Sequence, residues 1–396
     1  MTSEAPAAAD PAVIERYRGE LARVDELTCA GDYAAAIALL QNVARSSGDE
    51  ALMQRLIELR VVAMPLLADK VDPQPMYEAN ELLGKPDAVR ERLDKDGYLF
   101  FRDIIPKERL RSLRDDITQV LADEGWIEKG ERRMQARAIC RPRREGQPKF
   151  FRAHDRIVKL EALHSMGHEP RLLDVMRQAL GETAFPHPLS IVRLVFPDSP
   201  ELATPPHQDF PNNQGTPKLT AAWMPLVDCD IKGGSLAVLE GSHKFGLLPL
   251  KFHLGAGNRA AVLSEEVKGC RWVGADFKAG DVLLFPSLTV HKAMENDTLE
   301  TMRLSVDFRY QIEGEALTEG CLKPHFDRVS WEDIYRDWQS EALQYYWRDK
   351  SFDVVPWDEK LHALPADHVD EAYEQTLAYN IALTRRKEAR AADGGE

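Results

Sequence analysis

Hydrophobic and polar positions divide the chain into stretches of different texture. From about residue 11 to 70, apolar residues recur at i, i+3, i+4 and i+7 in "YAAAIALLQNVA" and "ALMQRLIELRVVAMPLLA", with "SSGDE" as the break, which predicts a helical hairpin or small bundle. Near Asp87 come a helix, a turn at "KDG", a short strand "YLFF" and a helix opened by Pro106. From about Ser190 the runs shorten. "SIVRLVFP", "KLTAAWMPLVD", "GSLAVLEG", "RWVGADF", "DVLLFPSLTVHKAM" and "RLSVDFRYQI" are β-branched or aromatic segments between Gly, Pro, Asn and Asp. Such a series reads as a sandwich or barrel, with a jelly roll among the candidates. After about Glu313 helical spacing returns in "WEDIYRDWQSEALQYYWRDK" and "DEAYEQTLAYNIALTRRKEA". The expected fold class is α+β, with a helical N-terminal extension over 1–86, a strand-rich domain and its leading helices over 87–312, and a helical C-terminal extension over 313–396. The helical extensions are the candidates for homodimer contacts.

Charge and cysteine usage narrow the function classes. The formal charge of -14 opposes non-specific nucleic-acid binding, because the average surface repels a polyanion. No apolar run approaches the roughly 18 residues that cross a bilayer, and no basic start with an apolar core marks a secretory signal, so the expectation is a cytoplasmic protein without membrane or nucleic-acid partners. The five cysteines are scattered and form no close pair of the kind that holds zinc. One segment departs from the average. Arg132 to Lys159 is dense in Arg and Lys, with only Glu145 and Asp155 against them. It reads either as an entrance for an anionic substrate, gripped by Arg forks, or as a solvated basic loop paired with the acidic remainder.

The chemistry starts from "HQD" at 207–209. On a strand, His207 and Asp209 would project to one face while Gln208 turns away. That spacing is weak by itself. His291, at the end of the run "AGDVLLFPSLTVH", supplies a second imidazole, and two histidines with one carboxylate make the facial set that holds Fe(II) and leaves positions for co-substrate and O2. Zinc with the same ligands would be hydrolytic. Arg303 opens the next strand and could take the far carboxylate of a 2-oxo acid by a two-point fork; Arg309 shares its face but lies about 20 Å further along.

The array "HQD", "AAWMPLVDCDIKGGSLAVLEGSHKFG" (221–246), "AGDVLLFPSLTVH" (279–291) and "RLSVDF" (from 303), with "DKDGYLFFRDIIPKERLRSLRDDI" as its opening, resembles the phytanoyl-CoA dioxygenase family of Fe(II)/2-oxoglutarate oxygenases over about Val89 to Ile312. The resemblance implies a double-stranded β-helix, a cupin-like jelly roll, that oxidises a small molecule with Fe(II), 2-oxoglutarate and O2. It assigns His207, Asp209 and His291 as catalytic metal ligands, Arg303 as the anchor of the 2-oxoglutarate C5 carboxylate and Trp223 as its neighbour. His243, in the family's "GSH" turn, is read as structural. Some members carry a hydroxyl two residues after the distal histidine; here Ala293 stands there, so either Ser305 or Arg193 is the donor or the contact is absent. Halogenating relatives replace the carboxylate ligand, and Asp209 is present, so the implied reaction is hydroxylation of a small organic substrate, with anionic molecules among the candidates, and release of succinate and CO2. A non-catalytic metal-binding jelly roll and a zinc-dependent hydrolase on the same fold are the alternatives.

Overall fold

A computed structural model describes residues 9–67, 71–197, 199 and 203–393. The chain forms two compact units, one of Met1–Val71, Phe252–Leu254 and Pro365–Glu396, the other of Asp72–Lys251 and Gly255–Leu364.

The first unit is helical. Helices Arg18–Cys29, Tyr33–Ser47 and Glu50–Leu67 bury the stripe Leu21, Val24, Ala36, Leu40, Val43, Leu52 and Leu56. Asp32 caps the second helix by accepting from the Ala35 amide, and Gly48, at φ 66°, ends it in the left-handed conformation that glycine adopts without strain. The C-terminal helix His368–Asp393 belongs to the same unit, where Glu374 pairs with the buried Arg60 at 2.6 Å. Residues 68–70, at the end of the expected helical stretch, lie outside the described residues.

The second unit mixes helices with largely antiparallel sheets. Strands Leu99–Phe101, Val282–Pro286, Thr220–Pro225, Arg303–Ile312 and Ala184–Val195 lie side by side in that order, all neighbours antiparallel. A second sheet runs Gln74–Pro75, Trp272–Gly274, Leu236–Leu239, His291–Ala293. The apolar cluster of Phe100, Trp223, Leu236, Val238, Val273, Leu283, Phe285 and Ala293 draws on both sheets, so they share one core. The opposite face of the five-stranded sheet is covered by helices Pro86–Asp96, Lys107–Asp123, Pro148–Ile157 and Pro170–Leu180. Three of these open with proline, whose fixed φ suits a first turn and whose missing N–H has no helical partner there anyway.

Strand Arg303–Ile312 separates the two environments. Leu304, Val306, Phe308 and Tyr310 join the helix-side core, while the alternate positions Arg303, Ser305, Asp307, Arg309 and Gln311 are all at most 5% exposed. A fully buried row of polar and charged side chains is expensive unless every charge meets a partner. This strand contributes Arg303 and Arg309 to the candidate site.

The stretch "WEDIYRDWQSEALQYYWRDK" departs from its helical expectation: only Trp331–Tyr335 is α-helix, followed by turns and a short 3-10 segment at Tyr346–Asp349. Its aromatic donors go to carbonyls in different directions, Trp331 Nε1 to Leu322, Trp338 Nε1 to Lys159 and the Tyr346 hydroxyl to Pro186. These tertiary anchors override helical periodicity. Ile334, Tyr335 and Trp347 are buried there, with Trp331, Trp338, Tyr345 and Tyr346 packed against them.

Buried histidines make this fold acid-sensitive. Burial pulls His154 and His187, at most 2% exposed, down to about 4. A folded-state value below the ordinary 6.5 means that the unfolded chain binds protons first, so stability is complete above about pH 6.5 and is lost as pH falls toward 4, by about 1 kcal/mol per pH unit for each histidine. Denaturant midpoints measured from pH 7 to 4.5 should fall steadily; a flat profile would contradict the assignment.

Candidate active site

His207 and His291 face each other across a two-residue bridge. Each donates its amide to the other's carbonyl, at 2.9 and 3.0 Å, which sets the two side chains on the same face with ring centroids 4.2 Å apart. The Nδ1 atoms are held by carbonyls, His207 by Pro205 at 2.9 Å and His291 by Thr289 at 3.0 Å. A carbonyl only accepts, so each Nδ1 carries the proton and each Nε2 presents its lone pair. Both Nε2 atoms point to Asp209 Oδ1, 3.7 and 3.9 Å away, and the three ligand atoms lie within 4.8 Å of one another. Two neutral nitrogen donors and one carboxylate oxygen are a fitting set for a divalent metal.

Asp209 reaches this point by a route that the strand spacing did not suggest. Its backbone is αR (φ -75°, ψ -25°), and it stands at the N-terminus of the short helix Phe210–Asn213. The extended chain ends at His207, and the turn swings the carboxylate back toward the imidazoles. Gln208, between them, is fixed by three hydrogen bonds, donating to Gly246 and Leu288 and accepting from the Leu248 amide. The polar residues that follow are structural. Asn213 donates to the Asp209 carbonyl, Gln214 exchanges two hydrogen bonds with the Asp358 backbone, and Asn212 accepts from His362. Gly215, at φ 73°, passes so close to Ala316 and Leu317 that a Cβ would lie 2.6 Å from their backbone.

Arg309 completes the carboxylate's surroundings. Its Nη2 lies 2.9 Å from Asp209 Oδ2, as an ion pair without the alignment of a hydrogen bond, and its Nη1 donates to Asp307 at 2.6 Å. Burial opposes ionisation of Asp209, but Arg309 and the two imidazoles outweigh it and hold the carboxyl far below the usual carboxylate range. Burial, reinforced by His207, brings His291 down to about 3, so it stays neutral as a ligand must.

Arg303 sits differently. Its Nη1 donates to Ser305 Oγ at 2.7 Å, Ser305 also accepts from Trp223 Nε1 at 3.1 Å, and the guanidinium lies 5.9 Å from the Trp223 ring centre. Its Nε has no partner, and among the described residues no carboxylate lies within ion-pair distance of it. Burial lowers its guanidinium to about 10. A cleft of about 270 Å³ borders Arg303, but Asp228, Asp230 and Asp276 line it too, which disfavours a dicarboxylate there. Arg193 is not drawn into the Arg303–Ser305–Trp223 group; its Nε pairs with Asp307 Oδ2 at 3.2 Å.

Other sequence candidates separate from the site. His243 donates Nε2 to the Asp94 carbonyl and packs on Gly97, where a Cβ would lie 2.3 Å from its ring. His164 bonds the Val158 carbonyl and lies against the rings of Trp331 and Trp338. Four arginines of the basic segment are paired with acids: Arg133 with Asp115, Arg137 with Glu300, Arg152 with Glu124, and Arg156 with Asp123 and Glu124. His154 and His325 had no motif to expose them; they meet at 3.0 Å from positions 171 residues apart.

A family model described as phytanoyl-CoA dioxygenase (PhyH) matches residues 93–304, more than half of the chain and including all three ligand candidates. The chain belongs to the phytanoyl-CoA dioxygenase family. As a member, it is an Fe(II)- and 2-oxoglutarate-dependent dioxygenase that uses O2. Among its relatives are 1-deoxypentalenic acid 11-beta-hydroxylases of Streptomyces arenae, 25% identical over 248 residues (59% of this chain, 84% of the relative), and of Streptomyces exfoliatus, 25% identical over 259 residues (62% and 86%). More distant solved structures include the non-heme alpha ketoglutarate dependent epimerase SnoN (18% identity, 59% of this chain, 84% of the other, TM-score 0.43) and carbocyclase SnoK (19%, 65%, 94%, TM-score 0.41), both from nogalamycin biosynthesis. Arg309 and His325 lie beyond the family match. Among the described residues no helix is long and apolar enough to cross a membrane.

Proposed function

We propose that this dioxygenase hydroxylates a small organic acid, with His207, Asp209 and His291 as its metal ligands, on a double-stranded β-helix formed by the two sheets. The observation that carries the ligand assignment is the pair of Nδ1-locked imidazoles converging with Asp209. When bound, iron with 2-oxoglutarate supplies O2 activation and oxidation of a C–H bond, with succinate and CO2 released. Hydroxylation, and an acid as its target, are supported by the names of the Streptomyces relatives. The shared core of the two sheets supports the fold. The five free cysteines are in keeping with a cytoplasmic location.

The protein's own groups divide the work. Arg303, buried without an acidic partner, is suited to the C5 carboxylate of 2-oxoglutarate, with Ser305 and Trp223 holding the guanidinium in place. Arg309 is already committed to Asp307 and Asp209, so its role is to position the ligand carboxylate. Arg309→Met should weaken iron binding roughly 10- to 100-fold, the range for groups that orient a ligand. Titration against a competing chelator measures it, and an affinity within about twofold of wild type would remove Arg309 from the site. Anaerobic Fe(II) and 2-oxoglutarate together should give a weak visible charge-transfer band that zinc does not, and organic acids should stimulate succinate release. No band and no 2-oxoglutarate-dependent succinate would sink the reading.

A further inference from the structure

We propose that Arg193 receives the carboxylate of the prime substrate, an apolar carboxylic acid; this rests on the function proposed above. Asp209, Arg309, Asp307 and Arg193 form a continuous chain of charges, at 2.9, 2.6 and 3.2 Å. Once Asp209 serves a metal, the rest of that chain holds two guanidiniums against the single carboxylate of Asp307. The surplus charge is best placed to be neutralised at Arg193, whose side chain is 29% exposed, whereas Arg309 and Asp307 are 4% and 5% exposed. Its remaining acidic neighbour, Glu145, is 4.0 Å away, 38% exposed and part of the basic segment between Arg132 and Lys159. That carboxylate stands where a ligand carboxylate would compete, and a closer two-point pairing would displace it.

The surroundings of Arg193 suit an apolar body. The turn His325–Asp327 packs against strand Ala184–Val195, which carries Arg193. Phe326 contacts Phe150, Phe151 and His154, and it is 37% exposed. Phe326 and Asp327 both adopt left-handed backbone, φ 66° and 50°, which non-glycine residues rarely hold, and the turn is kept there by the His154–His325 contact and by Arg328 on Asp155 at 3.2 Å. Strain of this kind persists where surrounding structure enforces it, most often beside ligands. His154 and His325 both lie within electrostatic reach of Arg193, and the turn of His325 packs on the strand that carries it.

The test titrates the full chain, loaded anaerobically with Fe(II) and 2-oxoglutarate, by calorimetry with open-chain and polycyclic carboxylic acids, each beside its methyl ester. At least one acid should bind, with its ester weaker by about tenfold or more, and Arg193→Gln should weaken that acid about 10- to 100-fold. Glu145→Gln should tighten it, because a competing carboxylate is gone. Acid and ester binding alike, no acid binding at millimolar concentration, or Arg193→Gln weakening 2-oxoglutarate in place of the acid would each overturn the proposal. If Arg193→Gln misfolds, as a lowered melting temperature would show, Glu145→Gln decides alone, since it alters an exposed residue; unchanged or weaker acid binding then overturns the proposal. Failure of the dioxygenase reading is a separate result, namely wild-type protein with neither charge-transfer band nor 2-oxoglutarate binding.

Discussion

The Asp209→Ala protein is expected to lose iron-dependent succinate formation by more than the roughly 100-fold that loss of a supporting group around a metal causes. Two features of the structure lead to this expectation. Asp209 Oδ1 is the point toward which both Nε2 lone pairs converge, so its removal leaves two neutral metal donors and no anionic one. It also leaves the buried Arg309 with Asp307 as its single acidic partner. Asp209→Asn keeps the shape and removes the charge, so a comparable loss in that variant would show that charge matters more than packing. Iron content after gel filtration and succinate yield per chain are the readouts. Asp209→Ala retaining iron and a tenth or so of the wild-type turnover would take Asp209 out of the ligand set.

The Arg303→Ala protein should still bind iron but require far more 2-oxoglutarate. Two charge-assisted hydrogen bonds at about 1.5–3 kcal/mol each correspond to roughly a hundredfold or greater loss of affinity. Arg303→Lys should recover only part of it, because an ammonium cannot reproduce the planar fork. The charge-transfer band, titrated with 2-oxoglutarate, reports the affinity directly, and KM from succinate release gives a second measure. An affinity unchanged by Arg303→Ala would move the anchor elsewhere. The case for Arg303 over Arg309 is one of committed donors: Arg309 spends both Nη atoms on carboxylates of this chain, whereas Arg303 has a single hydroxyl for company and is buried all the same. Burying a guanidinium without an anion is costly, and a bound dicarboxylate would offset that cost.

Local pattern was sufficient for much of this protein. Period-2 runs in "KLTAAWMPLVD", "DVLLFPSLTVHKAM" and "RLSVDFRYQI" became strands because alternating or continuous apolar side chains need a sheet face to bury them. The alternation within "RLSVDFRYQI" carried a second message, since its polar positions are too numerous and too charged for a strand that only packs a core. His207, Asp209, His291 and Arg303 could be nominated from sequence because each stands in a short motif beside a strand end. Tertiary structure decided what those residues face. Asp209 arrives from a helical turn, the amides of Asn213 and Gln214 close that turn against the backbone, and the Trp- and Tyr-rich stretch after Ser330 gives up its helix to reach three separate carbonyls. Arg309 and Arg303 look alike on one strand, and only the partners brought to them from residues 209, 223 and 307 tell them apart. The His154–His325 pair, spanning 171 residues, has no local signature at all. Periodicity records which side of an element is buried; hydrogen bonds and ion pairs depend on what lies opposite, and that is set by chain segments far away in sequence.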